Sequence, residues 1–415
     1  MAKPESGTGT NVPNTGALAQ LAWVALEHAP RAADPLLHVG RRWVLPLARA
    51  RLAVERRCGK TRSGEPVSLL LIGRGMQLEY LSRRLFAEPP GREALPSVGL
   101  HRLGRRLGRA LDEADLVVAL VPRAFAPALA GRDFLHVPAS LDFVLSTGGA
   151  ELAAASPSLR QRVKAVRASG LRPRVSTDPS EFERFYDDFH LPLVTARFGG
   201  LAVRQPRRVL RRRFRSGGLI WVERDGEPLC ADLFETRGSE FNMLVHGARL
   251  DCDPAEAMFA HRANYLFGLE HGRALGCRTV NLGGTLPVLT DGVARHKRAW
   301  GATARPRHDT HLALLVGWRR PAPGVLRFLA DAPLVAHGRD GLTALAAVEG
   351  DAPADPHDAV RLNRGLMPEG VRQLTVLAAA GWAEVARGNP MPPADRLRLA
   401  SAGSSTELRA VFDND

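Results

Sequence analysis

Only four cysteines, Cys58, Cys230, Cys252 and Cys277, occur in 415 residues, and no two of them form a C-x-x-C pair. That excludes a zinc ribbon and a disulfide-stapled scaffold, and it fits a reducing cytoplasm. No apolar run reaches the roughly 18–20 residues that cross a bilayer. The segment "ALAQLAWVALEHA" is cut short by Glu27 and His28, follows a polar start and has no basic region before it, so a signal peptide is not expected. There is no G-x-S-x-G elbow, no phosphate-binding G-x-x-x-x-G-K-[ST] loop and no H-E-x-x-H pair. Acids are missing altogether between Asp188 and Glu223, a gap that contains eight arginines: Arg197, Arg204, Arg207, Arg208, Arg211, Arg212, Arg213 and Arg215.

With 45% hydrophobic residues the chain can build a sizeable core, and its length suggests two or three domains. The formal net charge of +14 favours anionic partners, although a general bias toward Arg, Ala, Gly and Pro explains the same excess. Residues 1–15 are polar and expected to be disordered. Residues 16–60 read as helical, and residues 16–140 as one unit with a partial α/β lobe. Its strands are "VSLLLI", "ADLVVALV" and "FLHVP", with "MQLEYLSRRLF" as a helix.

The unit at 141–320 has a different order. "SPSLRQRVKAVRASG" is a basic helix with Ser156 as its cap, and Asp178-Pro179 opens a second helix that ends at Asp187 and Asp188. A three-strand antiparallel meander turns at Asp225-Gly226 and Arg237-Gly238-Ser239. Asp253-Pro254 then launches a helix of about 20 residues, followed by the strands "CRTVNLGG" and "DTHLALLVGW". Residues 321–415 read as a small α/β extension.

Three features point to chemistry. Gly73-Arg74-Gly75 joins a strand to a helix, but without the third glycine of a dinucleotide turn a plain turn explains it better. His308 and His311 would face opposite sides of a strand, so no metal site is expected. Six arginines in "RRVLRRRFR" suggest a phosphate clamp through Arg211, Arg212 and Arg213, with a solvated loop as the alternative. Aromatics are only 6% of the chain and scarce in this stretch, which argues against base stacking.

In "NLGGTLPVLTDGVARHKRAWG", Gly283 and Gly284 end a strand, and glycines there let a ligand approach the backbone. Lys297 and Trp300 lie three apart on one helical face, where the lysine faces a developing negative charge or is simply a surface lysine beside a core tryptophan.

The motifs G-x-x-x-x-x-L-G-G-T (Gly276 to Thr285) and D-G-V-x-x-x-K-x-x-W-G (Asp291 to Gly301), in this element order, resemble the GNAT-superfamily acyltransferases of the FemAB-like branch, also called BioF2-like. The resemblance covers about 140–318. It implies an α/β (α+β) fold with a mixed, largely antiparallel sheet flanked by helices. It also implies transfer of an acyl group from acyl-CoA, with acetyl-CoA as the expected donor, to an amine or hydroxyl of a small molecule or envelope precursor. Aminoacyl-tRNA is the donor in the FemABX peptidyltransferases, and a non-catalytic binding module is a third alternative. By carry-over Lys297 stabilises the oxyanion. His246 and Asp187 lead the candidate bases, with Asp188 and His190 behind them. Tyr186, Arg197 and Trp300 are expected at the substrate. Gly283, Gly284, Thr285 and the three arginines are expected at the donor. The pyrophosphate loop of acetyl-CoA enzymes is replaced by "ARLDCDPAEA".

Overall fold

Three sheets organise the chain, seen here in a computed structural model that describes residues 51–148, 157–199, 205–307, 310–350, 353–383 and 396–408. The expected disordered start, Ser156, Arg204 and His308 lie outside these residues.

The first sheet has six strands in the order β3-β1-β2-β4-β13-β5. Its members are β1 (Arg51–Lys60), β2 (Pro66–Ile72), β3 (Gly91–Gly99), β4 (Leu116–Pro122), β5 (Leu135–Pro138) and, from much later in the chain, β13 (Leu312–Gly317), with helices α1 (Met76–Leu85), α2 (Leu103–Glu113) and α3 (Ala126–Ala130) between the first five. The helix expected through residue 60 is therefore replaced at its end by a strand. Arg51–Lys60 zips against both β2 and β3, and these long-range ladders override a local reading based on arginine content.

The second sheet has seven strands in the order β12-β6-β11-β10-β9-β8-β7. The chain enters it at β6 (Leu141–Ser146), then forms α4 (Pro157–Ala168) and β7 (Arg172–Ser176). A continuous helical run follows as α5 (Pro179–Arg184), a π-helical turn (Phe185–His190) and α6 (Leu191–Phe198). Asp187 and Asp188 thus sit inside a helical run and do not end it. Next come α7 (Arg207–Phe214), the meander β8 (Gly217–Arg224), β9 (Glu227–Arg237) and β10 (Glu240–Ala248), α8 (Pro254–Ala274), β11 (Thr279–Thr285), α9 (Gly292–Arg298) and β12 (Thr303–Pro306). Asp178 and Asp253 cap their helices as the sequence signals, accepting from backbone amides two or three residues on.

Strand β13 (Leu312–Gly317) does not stay with its neighbours in sequence. Apolar and buried along nearly all its length, it fills the gap between β4 and β5 in the first sheet. The C-terminal residues give α10 (Pro323–Asp331), β14 (Leu334–Gly338), β15 (Gly341–Val348), α11 (Pro356–Leu366), β16 (Val371–Ala378) and β17 (Leu397–Ser401). Their sheet shares apolar core with both others, Leu345 on the first-sheet side and Val335 on the second.

The π turn is held close to β10. A Cβ at Gly247 would stand 2.8–2.9 Å from the Phe185 ring, the His190 backbone nitrogen and Phe189 Cβ, so only glycine fits. Gly247→Ala is expected to cost about 1–3 kcal/mol by overpacking, read as a lower urea midpoint; an unchanged midpoint contradicts this packing.

Candidate active site

Parallel pairing between β10 and β11 covers only Glu240–Asn242 against Thr279–Asn281, and beyond it the strands part. Buried polar side chains fill the start of the gap. Asn281 donates from Nδ2 to Asp142 at 3.1 Å and to Asn242 at 3.2 Å, and its Oδ1 accepts from the Gly283 amide at 2.9 Å. Lys297 closes the far side: its Nζ donates to the carbonyls of Gly283 at 2.8 Å and Gly284 at 3.1 Å. Only 3% of Lys297 is exposed, so the surface-lysine alternative fails.

Helix α9 holds this lysine in place. Asp291 caps it, its Oδ1 accepting from the amides of Val293 at 2.9 Å and Ala294 at 3.0 Å, while its Oδ2 accepts from the Tyr80 hydroxyl of α1 at 2.9 Å. At the other end Arg298 donates to the carbonyls of Gly365 and Leu366 in α11. Helix α1 and the C-terminal unit therefore both grip the seven-residue helix that carries Lys297.

The glycines serve this packing. Gly283 has φ +83°, and a Cβ there would meet the Met243 carbonyl at 3.0 Å. At Gly284 the same space is taken by Arg307 and by the Ser140 hydroxyl. The expectation that both glycines lie uncovered is corrected: the Gly283 amide is bonded to Asn281, and side chains pack over Gly284. Thr285 is buried beside them.

His246 lies directly across from Asp232 in the β10–β9 ladder, with Nδ1 3.2 Å from Oδ1. Asp232 is buried and its Oδ2 has no hydrogen-bond partner among the described residues. An ionised Asp232 requires His246 Nδ1 to carry the proton, which leaves Nε2 as an acceptor. His190 bonds the His246 backbone carbonyl through Nδ1 at 2.9 Å. From His246 a chain of rings runs inward: His261 at 4.3 Å, then His296 at 5.1 Å from His261, with Tyr265 4.9 Å from His261 and 5.9 Å from Trp300.

Burial sets the protonation of these groups. It pushes the Lys297 ammonium down to about 7 even though Asp142, Asp291 and Asp232 favour the charged form. It pushes His296 to about 4 and His261 well below the ordinary imidazole range, with neighbouring cations adding to both shifts. The same desolvation raises the Asp232 carboxyl and the Tyr265 hydroxyl.

Of the residues expected at the site, the structure brings together Lys297, His246, Trp300, Gly283, Gly284 and Thr285, and the Arg197 charge acts on His261 and Tyr265. Asp187 is elsewhere: 46% of its side chain is exposed, and it pairs with Arg207. Tyr186 donates to the Gln205 carbonyl and packs with Phe182 and Phe214 on the far face of the sheet. The arginine run is on that face too. It forms helix α7, whose Leu210 and Phe214 pack on Ala231 and Leu233, and neighbours in a strand point to opposite sides, so Asp232 is turned away from it. Arg211 pairs with Glu183, and Arg213 with the buried Glu235. The expected clamp at Arg211 and Arg213 is thus an ion-pair belt; only Arg212, with Arg208 and Arg215, stays exposed and unpaired among the described residues.

Asp232, His261, Tyr265 and His296 were not anticipated. Strand alternation pairs Asp232 with His246, and His261 and Tyr265 are four apart on α8, but neither spacing stands out without knowing which elements meet. Among the described residues no group of His, Cys, Asp and Glu is arranged to hold a metal ion. A cavity of about 650 Å3 opens elsewhere, in the first sheet, between the Gly73-Arg74-Gly75 turn and Ala94, Leu95 and Ser97, with Arg57 and Glu79 on its wall.

No protein-family model matches the chain, and no curated protein matches it in sequence. Similar solved structures include L-PGS from Bacillus licheniformis (12% identity, 63% of this chain and 83% of that one, TM-score 0.32). They also include FemX (13% identity, 64% and 88%, TM-score 0.34). A third is a tandem GNAT protein from the clavulanic acid biosynthesis pathway (16% identity, 73% and 94%, TM-score 0.28). No helix among the described residues is long and apolar enough to cross a membrane.

The cap makes a test of the site's support. Asp291→Ala removes two amide acceptors and the bond to Tyr80, and is expected to cost about 0.5–2 kcal/mol in thermal unfolding. A Tyr80→Phe change in the Asp291→Ala background should then add nothing; an additive loss contradicts the Tyr80–Asp291 coupling.

Proposed function

We propose that the chain is an acyltransferase in which an acceptor amine or hydroxyl attacks a bound acyl group directly. The observation that carries this reading is the pairing of a dry lysine, Lys297, with an Asp232–His246 dyad at one split between parallel strands. His246 Nε2 takes the proton of the attacking group, while Asp232 holds Nδ1–H and steadies the imidazolium that forms. The carbonyl oxygen gathers negative charge in the tetrahedral intermediate. Lys297 has three N–H donors and spends two on the carbonyls of Gly283 and Gly284, so one remains for that oxygen. Collapse of the intermediate expels the donor's leaving group.

The donor is proposed to be acyl-CoA and the setting cytoplasmic, with residues 141–320 as the transferase unit. Aminoacyl-tRNA is the alternative donor, and it predicts tRNA binding that weakens steeply with salt. One observation favours a different reading, a binding module without turnover: Lys297 and Trp300 are 3% and 2% exposed, and the 650 Å3 cavity belongs to the other sheet.

Turnover of an acyl thioester separates these readings. Lys297→Ala is expected to lower kcat about 10²–10³-fold, as loss of an oxyanion donor does. His246→Gln is expected to lower it by about 10²–10⁴-fold. Because the third N–H and the positive charge exist only in the ammonium, the wild-type rate should fall as pH rises through about 7. Near wild-type kcat in both variants would overturn the assignment.

A further inference from the structure

Asn264, in the middle of α8, is 0% exposed, and neither its Nδ2 nor its Oδ1 has a hydrogen-bond partner among the described residues. Native interiors leave few polar groups in that condition, because a buried donor or acceptor without a partner keeps its full desolvation cost. Helical spacing puts His261, Asn264, Gly268 and His271 on one face of α8. The other three have fixed contacts on the second sheet. The His261 ring meets the His246 ring with centroids 4.3 Å apart. A Cβ at Gly268 would stand 2.8 Å from the Met243 sulfur, and the His271 ring lies 5.3 Å from Phe234. In the β9–β10 ladder Asp232 pairs with His246 and Phe234 with Met243. Asp232 and Phe234 are two apart, so they share one face of β9. Asn264 is thus pinned from both ends over the stretch that carries Asp232, whose buried Oδ2 also lacks a partner.

We infer that Asn264 is a positioning residue for Asp232, and that the two hold one internal water between Asn264 Nδ2 and Asp232 Oδ2. Nδ2–H donates to the water, and the water donates one hydrogen to Oδ2. Its second hydrogen goes to His261 Nδ1, a buried nitrogen on the same face of α8 that has no partner among the described residues. Three partners are the usual number for a buried water. Oδ1 of Asp232 already faces His246 Nδ1 at 3.2 Å, so the water fixes the remaining carboxylate oxygen and keeps Nδ1–H in place. The titrating groups around Asp232 are Cys230 on β9, His246 on β10, His190 on the π turn, Tyr265 on α8 and Lys297 on α9. Burial drives the Asp232 carboxyl upward, and a donor to Oδ2 opposes that drift. Calling His246 a base rests on the acyltransfer reading; the hydration and ionisation of Asp232 do not.

NMR of the full-length protein tests this without any acyl donor, with aspartate labelled at Cγ and Asp232→Asn used to assign the signal. In Asn264→Leu, close in size and without a donor, the Asp232 midpoint is expected to rise by about one pH unit or more, as loss of one hydrogen bond to a carboxylate implies. Asn264→Ser, which restores a donor, should bring it back toward wild type. Leu266→Ala removes apolar packing from the same helix; it should lower thermal stability and leave the midpoint in place. In wild type the Asn264 side-chain amide protons should show cross-relaxation with a long-lived water. An unchanged midpoint in Asn264→Leu, an equal rise in Leu266→Ala, or no water contact at the Asn264 amide would overturn the inference. Because no turnover is read, these shifts without acyl transfer would sink the proposed function and leave the water-held carboxylate standing.

Discussion

Everything distinctive about this chain depends on the parting of two parallel strands. After Asn242 and Asn281 the β10–β11 ladder stops, and the backbone carbonyls of Gly283 and Gly284 turn to a lysine in place of a neighbouring strand. Unpaired carbonyls in a protein interior are costly, and an ammonium is one of the few groups that satisfies two at once. The same burial strips the lysine of water and lowers its proton affinity, so a structural answer to an open sheet creates a chemically poised amine.

That arrangement is braced from three directions. Tyr80 reaches from helix α1 of the first unit to the cap of α9, Arg298 ties the end of α9 to the C-terminal unit, and Asn281 locks the glycine pair to the strand beside it. β13 adds to the union by crossing from the second unit into the first sheet. The C-terminal residues therefore support the site as well as extending the chain, a role that their composition does not reveal.

The sequence made much of the second sheet legible. Helix caps with fixed offsets, such as Asp178, Asp253 and Asp291, declare themselves locally, and so do the glycine turns of the meander. The lysine and tryptophan of the D-G-V motif could be named for the same reason. What escaped depends on distance in the chain. The burial of Lys297, the company of His246 and Asp232, and the meeting of α8 with α9 are products of packing that no short window contains. The arginine run misled because charge density is visible in a sequence while its partners are not. Glu183, Glu235 and Asp187 neutralise much of it from positions 20 to 28 residues away. The strand at Arg51–Lys60 was missed for a related reason, since its ladders come from β2 and β3.

The proposed chemistry turns on Lys297 being a dry amine with a displaced proton equilibrium. Its titration can be followed directly by NMR, with lysine labelled at the ε-carbon and Lys297→Arg used to assign the signal. A midpoint near 7 is expected for this one lysine. A midpoint near the usual lysine value of about 10.4 would contradict it.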